Sequence, residues 1–242
     1  MEEILTAASA AGFTTWGFTP HGPLIIPSPC NMKAEDVPKY LEEVERLKPM
    51  FPEMKILAGM EIDFLEEEQG PASPYVKEYG LDYVIGSVHF IPNQKGDFYD
   101  IDGSPERFRN TLKEHFDDDL MYVVRTFWTQ TQRMIKAVGF DIIGHIDKIA
   151  LNASSVLPEI EDDPEYSRLS QETIEMAISS GKSIEINTKH WEKYGRFFPH
   201  PRYWARIRQA GIQMPVNTDT HYAAMVESGR EAALELIKKI GA

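Results

Sequence analysis

The chain has 242 residues, of which 42% are hydrophobic and 26% are charged, and its formal net charge is −13. This composition is ordinary for a globular protein, and the length suffices for a sizeable core. The negative charge argues against a general binder of nucleic acid or anionic membranes, because a phosphate backbone needs a basic protein face. A single cysteine, Cys30, excludes a disulfide framework and a cysteine-rich zinc site.

The N-terminal segment has no targeting features. No apolar run approaches the roughly 18 residues of a membrane span, and the first residues are acidic where a signal peptide would be basic. We therefore expect a cytoplasmic protein, either a monomer or a homodimer. The sequence opens on a predicted helix, with no strand before it.

Apolar and amphipathic runs alternate along the whole chain. In chain order they predict a helix at 2–11, a strand at 13–19, a helix at 34–48, strands at 55–60 and 82–88 with a short helix at 72–79 between them, one or two helices at 105–138, a strand at 140–144, a helix at 165–180, a strand at 182–187, a helix at 199–210, a strand at 212–217 and a helix at 226–240. The segments 21–31 and 93–105 are predicted loops. This alternation is typical of an α/β fold with a mainly parallel sheet. No linker interrupts it, so we expect one domain over 1–242.

Histidines and acids concentrate where the predicted strands end. The residues at these positions are His21, Glu61, His89, His145, Asp219 and His221. In a parallel α/β barrel all C-terminal strand ends open on one face, which holds the active site. One histidine after a strand is more often a capping or core residue than a ligand, but four of the seven histidines lie at strand ends. Asp219 and His221 are two residues apart, so both side chains aim into one space. The joint pattern favours a metal site.

The residue types indicate which metals and which chemistry would suit such a site. Histidine and carboxylate ligands without cysteine suit zinc, manganese or iron better than calcium or magnesium. Several ligands of both kinds suggest more than one ion, which a carboxylate such as Glu61 can bridge. The matching reaction is in-line attack of a metal-bound hydroxide on phosphorus, with neighbouring ions stabilising the charged oxygens. The net negative charge is no obstacle, because the ions supply local positive charge.

A phosphate substrate also needs cationic side chains. Arg196 lies in a loop at the same level as the strand ends and is the leading candidate to clamp phosphate oxygens. Lys148, Lys189 and Arg230 are weaker candidates, and a solvated surface cation is at least as good an interpretation of each. Cys30 has no spaced partner that would make it a nucleophile.

Seven segments carry a resemblance to a known family. They are GFTPHGPL (17–24), GMEIDF (59–64), GSVHFIP (86–92), DIIGHIDK (141–148), EINTK (185–189), GRFFPH (195–200) and NTDTHY (217–222). In this order they resemble the polymerase-and-histidinol-phosphatase (PHP) family, and within it the histidinol-phosphatase branch.

The resemblance implies a distorted (βα)7 TIM-like barrel and a centre of up to three divalent metal ions, usually zinc, iron or manganese. It implies hydrolysis of L-histidinol phosphate to L-histidinol and phosphate in histidine biosynthesis, with a small-molecule phosphate ester as partner. The metal ligands would be His21, Glu61, His89, His145, Asp219 and His221. Asp219 and His221 would be catalytic, and Arg196, Lys148 and Arg230 would contact phosphate. Glu185 and Asp63 are candidates to recognise the histidinol amine.

The sequence departs from the family pattern at its start. Members of the family begin with a strand that carries a His-x-His motif and is followed by another ligand, and this sequence begins at about the first helix. We therefore expect an N-terminally incomplete barrel that lacks its first strand, with six ligand-type residues instead of nine and fewer ions.

Two explanations of this departure stay open. Either the chain is a shortened version of an active enzyme, which the intact ligands favour, or it is a degenerate member that binds metal or ligand without catalysis. Another PHP-type phosphoesterase activity is an alternative within enzymes. A nucleic-acid role is disfavoured by the charge.

Overall fold

A computed structural model describes residues 1–240. Its strands are β1 (Thr15–Phe18), β2 (Lys55–Asp63), β3 (Tyr83–Ser87), β4 (Phe90–Pro92), β5 (Phe98–Asp100), β6 (Ile142–Ile143), β7 (Ser183–Ile184), β8 (Ile186–Asn187) and β9 (Val216–Asn217). Its helices are α1 (Glu2–Ala10), α2 (Val37–Leu47), α3 (Pro74–Glu78), α4 (Pro105–His115), α5 (Leu120–Lys136), α6 (Ile149–Val156), α7 (Pro164–Ser180), α8 (Trp191–Tyr194), α9 (Trp204–Gln209) and α10 (Arg230–Ile240). Among these residues no helix combines the length and the apolarity that a membrane crossing requires.

The parallel strands follow one another in chain order. A five-stranded sheet has the order β1-β2-β3-β6-β7, and β8 pairs in parallel with β9. The segment 183–187 joins the two sheets, because Glu185 N–H donates to the Ile143 carbonyl (3.0 Å) and Ile186 N–H donates to the Pro215 carbonyl (2.8 Å). All six predicted strand runs contribute to these two joined parallel sheets. The predicted α/β fold with a mainly parallel sheet is confirmed.

A cavity of about 510 Å³ lies between the two ends of the sheet. Within residues 1–240, β1 pairs only with β2, and β9 pairs only with β8. The cavity is lined by residues of both end strands, such as Trp16 and Val216, and by the ring of Tyr83. It reaches the C-terminal strand ends, where Glu61 and Asp219 also line it. The candidate site therefore opens into this cavity.

The apolar core is formed mainly by the sheet and the long helices. α5 buries one face that includes Trp128, whose ring meets the ring of Tyr166 edge-on at 5.7 Å. The sequence leaves open whether 105–138 holds one helix or two, and the structure has two. Asp117 and Asp118 have positive φ and end the first helix, and the Asp119 carboxylate accepts the Tyr122 N–H to cap the second.

Several elements differ from the sequence-based predictions, among them β4 and the short α8, which lie where no element is predicted. The segment 93–105 contains β5, which pairs antiparallel with β4, so part of it is a hairpin and not a loop. α6 lies where no helix is predicted, because its sequence IALNASSV has no clear polar face. The last helix begins at Arg230 instead of residue 226, directly after Gly229, which has φ +65°.

Gly139 connects α5 to β6 and allows a close backbone approach. Its φ is +92°, and an added Cβ would lie 2.4 Å from the Pro71 carbonyl oxygen. Gly96 has nearly the same φ (+91°) but open space around it. We expect Gly139→Ala to lower the free energy of unfolding by about 1–3 kcal/mol more than Gly96→Ala does, because only the first adds a steric clash to the backbone strain. Urea denaturation of both variants measures this, and equal losses would contradict the packing argument.

Candidate metal centre

Four of the six predicted ligands meet at the C-terminal ends of the strands. His21 follows β1 and is held beside β2, because Gly22 N–H donates to the Glu61 carbonyl (2.8 Å) and Glu61 N–H donates to the Pro20 carbonyl (3.0 Å). His89 follows β3, and His145 follows β6. β2 is longer than predicted, so Glu61 lies within it. The sheet therefore brings together side chains that are far apart in sequence.

Three of these side chains form a compact group of potential ligand atoms. Glu61 Oε1 lies 3.0 Å from His145 Nε2 and 3.7 Å from His89 Nε2, and the two Nε2 atoms are 3.0 Å apart. Ligand atoms in a tetrahedral zinc site, with bonds of about 2.0–2.1 Å, lie about 3.3 Å from one another. All three side chains are buried. The group fits one divalent ion, and its mixture of imidazole and carboxylate suits zinc, manganese or iron.

The second oxygen of Glu61 faces another histidine. Glu61 Oε2 lies 3.6 Å from His21 Nδ1, while Oε1 faces His89 and His145. The rings of His21 and His89 are 5.0 Å apart. Burial would raise the pKa of Glu61, but the neighbouring imidazoles of His21, His145 and His89 hold it well below its usual range. A carboxylate whose two oxygens face different histidines can bridge two ions.

Asp63 fixes the orientation of His89. Its Oδ1 accepts a hydrogen bond from His89 Nδ1 (2.7 Å), and its Oδ2 accepts one from Asn31 Nδ2 (3.1 Å). This arrangement leaves His89 Nε2 directed at Glu61 and His145, as in carboxylate–histidine–metal sites. Burial alone would lower the pKa of His89, but Asp63, and after it Glu61, raises that pKa to about 10. Asp63, predicted as a possible amine-binding residue, is fully engaged in this contact.

Asp219 and His221 both lie at the edge of the cavity, and His221 is the more exposed of the two. Asp219 has φ +47°, and its carboxylate contacts Lys189 Nζ (3.1 Å) and accepts a hydrogen bond from Asn187 Nδ2 (3.1 Å). The His221 side chain is 53% exposed, and its Nδ1 lies 3.1 Å from the carbonyl oxygen of Asp219. Both residues line the cavity that holds His21 and Glu61. No hydrogen bond or ion pair joins either residue to the other four predicted ligands, so their ligand role stays a prediction.

The site carries an excess of negative charge. Glu185 is buried, and its carboxylate accepts hydrogen bonds from the His145 N–H (2.8 Å) and from Asn217 Nδ2 (2.9 Å). Burial, and after it the negative charge of Glu61, raises the pKa of Glu185 to about 7. The neighbouring ammonium groups belong to Lys148 and Lys189. A group of carboxylates with too few cationic partners is an arrangement that bound cations would stabilise.

The three predicted phosphate-binding cations have different surroundings. Arg196 makes two hydrogen bonds to the Glu161 carboxylate and lies 3.5 Å from Asp147 Oδ2, so its guanidinium is already paired. Arg230 lies over the ring of Phe13, 4.7 Å from the ring centre. Lys148 is only 6% exposed. The charge of Lys189, and after it that of Lys148, lowers the pKa of Asp219 although burial opposes this. Lys148 is therefore the predicted phosphate contact whose charge acts on the cluster.

Sequence reasoning missed Asp102, which lies in the predicted loop 93–105. Its carboxylate is 3.4 Å from Lys148 Nζ. Burial would raise the pKa of Asp102, but the charge of Lys148 holds this pKa below its usual range. His89 and His145 add to the effect of Lys148. The sequence signal for it is weak: an acid thirteen residues after a strand-end histidine becomes part of the site only because β4 and β5 fold back as a hairpin.

The parallel sheet and the histidine–carboxylate group at its C-terminal edge define the chain as an α/β barrel-type protein with a site that could hold a divalent metal ion. The family model of the PHP domain matches residues 1–189. The chain belongs to the PHP domain family, as its sequence segments predicted.

Curated relatives cover the whole chain. A protein of Schizosaccharomyces pombe named probable histidinol-phosphatase is 26% identical, with 100% of this chain and 81% of that protein aligned. One of Deinococcus radiodurans with the same name is 25% identical, with 99% and 86% aligned.

Solved structures share the fold. A Listeria monocytogenes protein, provisionally described as a histidinol phosphatase, superimposes with a TM-score of 0.82 and 18% identity over 96% of this chain and 92% of its own. The Lactococcus lactis histidinol phosphate phosphatase, solved with zinc, L-histidinol and phosphate, gives a TM-score of 0.65 and 20% identity over 99% and 86%. These likenesses confirm the predicted TIM-like architecture.

A substitution of Asp63 tests whether its hydrogen bond to His89 supports metal binding. We expect Asp63→Asn to weaken the binding of zinc about 10- to 100-fold, because the neutral amide no longer favours the orientation and charge of the His89 imidazole. Competition with a coloured chelator measures the dissociation constant. Asp36→Asn, which changes an exposed acid beside Lys39, serves as the control. An unchanged affinity in Asp63→Asn would show that Asp63 has only a structural role.

Proposed function

We propose that the chain is a metal-dependent phosphomonoesterase that hydrolyses L-histidinol phosphate to L-histidinol and phosphate. The observation that carries this proposal is the buried group of Glu61, His89 and His145 at the C-terminal strand ends of a PHP fold. The names of the curated relatives support the same substrate. The reaction belongs to histidine biosynthesis, and we propose that the protein acts in the cytoplasm.

The metal ligands follow from the contacts at the strand ends. Glu61, His89 and His145 would hold one divalent ion, and His21 would share Glu61 with a second. Zinc is the metal in the Lactococcus lactis structure, and manganese and iron suit the same donor atoms. Divalent ions bound here would polarise the phosphoryl group and lower the pKa of a water molecule. Asp219 is proposed to contribute a further ligand from the cavity edge.

The other residues would bind, orient and move protons. Lys148 is proposed to attract a phosphate oxygen, with Arg196 and Arg230 as further candidates once released from their present partners. Asp219 and His221 are the proposed catalytic pair, since both follow β9 at the C-terminal strand ends, the edge of the sheet on which the ester would lie. Asp63 keeps His89 Nε2 directed at Glu61 and His145.

A substrate panel tests the proposed activity. The protein is stripped with EDTA, reloaded with zinc or manganese, and offered L-histidinol phosphate and other phosphomonoesters while released phosphate is measured. We expect the largest kcat/KM with L-histidinol phosphate and no release before reloading. Preference for another ester would favour a different PHP phosphoesterase activity. Metal and phosphate binding without any release would favour a non-catalytic binding protein.

A further inference from the structure

Lys148 and Asp102 form an isolated ion pair beside the metal centre. Lys148 Nζ lies 3.4 Å from Asp102 Oδ2 and contacts no other hydrogen-bond acceptor or carboxylate within the described chain. An ammonium group can donate three hydrogen bonds, so this contact uses only part of its capacity. Its Nζ also lies 5.6 Å from the centre of the Phe198 ring. The buried cation therefore has unused donor capacity for a second anionic partner.

Asp102 is held rigidly by the loop that carries it. Its N–H donates to Asp100 Oδ1 (2.8 Å), and Asp100 is paired with Arg107 (2.9 Å). The preceding residue, Ile101, donates its N–H to the His89 carbonyl (2.9 Å) and accepts a hydrogen bond from buried Asn152 Nδ2 (3.0 Å). These contacts fix the backbone that leads into Asp102, whose carboxylate faces Lys148 and the Gly103 N–H. Such support is typical of a positioned binding group.

Asp102 is also the most accessible carboxylate of the site. Its side chain is 28% exposed, compared with 18% for Asp219, 10% for Glu61 and 1% for Asp63. Glu185, the other predicted amine-binding residue, is 3% exposed and accepts hydrogen bonds from within the barrel. Only Asp102 combines an accessible oxygen with a fixed position next to the proposed phosphate-binding cation.

From this geometry we propose that Asp102 and Lys148 form a subsite for a zwitterionic phosphate ester. In the free protein the two charges neutralise each other. When the ester binds, Lys148 pairs with a phosphate oxygen, and Asp102 pairs with the ammonium group of the same molecule. This inference rests on the proposed function, whose substrate is the phosphate ester of an amino alcohol, and adds Asp102 as the specificity-determining residue that recognises the ammonium group. The buried Lys148 and the half-buried Asp102 thus each keep an opposite charge in both states.

The test uses two ligands of the same size that differ in one charge. O-Phosphoethanolamine carries an ammonium group where n-propyl phosphate has a methyl group. Calorimetry with the zinc-loaded protein measures both dissociation constants. We expect the wild-type protein to bind O-phosphoethanolamine about 10- to 100-fold more tightly than n-propyl phosphate. A ratio of this size corresponds to one charge-assisted hydrogen bond. In Asp102→Asn we expect this ratio to fall to about one.

Three further variants complete the test. Asp97→Asn removes an exposed acid from the turn of the same hairpin and should keep the wild-type ratio. Asp102→Glu, which restores the charge, should recover part of the ratio and shows that loss in Asp102→Asn is not misfolding. Lys148→Met should weaken both ligands together. Zinc content is measured for each variant, so that a lost metal is not mistaken for a lost contact.

The outcomes separate this inference from the proposed function. A wild-type protein without preference, or an Asp102→Asn variant that keeps the preference, would overturn the subsite even if the protein releases phosphate. A preference that depends on Asp102, in a protein that releases no phosphate from any ester, would uphold the subsite and refute the proposed hydrolysis.

Discussion

Glu61→Gln is expected to remove most of the bound zinc and to lower phosphate release from L-histidinol phosphate on the order of a thousandfold. Both oxygens of this carboxylate face histidines, Oε1 towards His89 and His145 and Oε2 towards His21. An amide of the same shape has one weaker acceptor and no charge, so neither ion position keeps its carboxylate ligand. The change is nearly isosteric, and the core around it should stay packed.

The matched control is Glu68→Gln, which makes the same chemical change at an exposed position on the loop after β2. Zinc content by elemental analysis and phosphate release are measured for both variants. The control should equal the wild-type protein in both. If Glu61→Gln retained its zinc and its activity, the cluster of Glu61, His89 and His145 would not be the functional metal centre.

Divalent metal is expected to raise the Tm of the protein by about 5–10 °C when its free concentration is about a hundredfold above the dissociation constant. Binding at that ratio stabilises the folded state by about 2.7 kcal/mol, and 1 kcal/mol shifts the Tm of a domain of this size by about 2–4 °C. The physical cause is the excess of negative charge around Glu61 and Glu185, which the ions neutralise. Thermal unfolding with zinc and with EDTA measures the difference, and Glu61→Gln should show little of it.

The metal-free protein should in turn lose stability as the pH rises. Burial and Glu61 raise the pKa of Glu185 to about 7, and Asp63 raises that of His89 to about 10 despite its burial. A group whose pKa is higher in the folded state favours folding at low pH, and this contribution is lost as the pH passes the folded value. Below pH 6.5 the buried His145 and the half-buried His190, whose pKa values burial lowers, oppose this trend. We therefore expect the Tm in EDTA to fall between pH 6.5 and pH 8, through His89 and the last part of the Glu185 titration.

The effect of zinc should follow the opposite trend. His89 must lose a proton to bind metal, so zinc affinity should rise with pH. The difference between the zinc and EDTA curves should therefore grow between pH 6 and pH 8. A difference that shrinks over this range would contradict the assignment of His89 as a ligand.

The strand ends could be predicted from the sequence because the relevant signals are local. The six apolar runs of the sheet are continuous in sequence, and His89 and His145 directly follow two of them. In a parallel sheet all such positions share one edge, so their convergence follows from topology alone.

Other parts of the site depend on contacts that no local pattern encodes. Asp102 joins the site through the pairing of β4 with β5, which requires a hairpin within a segment predicted as a loop. Arg196 lies in the predicted loop, but Glu161, thirty-five residues earlier, binds its guanidinium. The exposure of His221 depends on the backbone after Asp219, whose positive φ the sequence does not predict. The surroundings of these three side chains therefore depend on residues that are distant in sequence, and they could not be predicted from local patterns.

The central claim is that the strand-end cluster binds divalent metal and uses it to hydrolyse L-histidinol phosphate. It is tested most directly by measuring phosphate release from this ester as zinc or manganese is added stepwise to the EDTA-treated protein, with bound metal determined at each step. We expect no release at the start and a rate that rises with bound metal until the sites are full. Release that is independent of bound metal, or full metal binding without release, would contradict it.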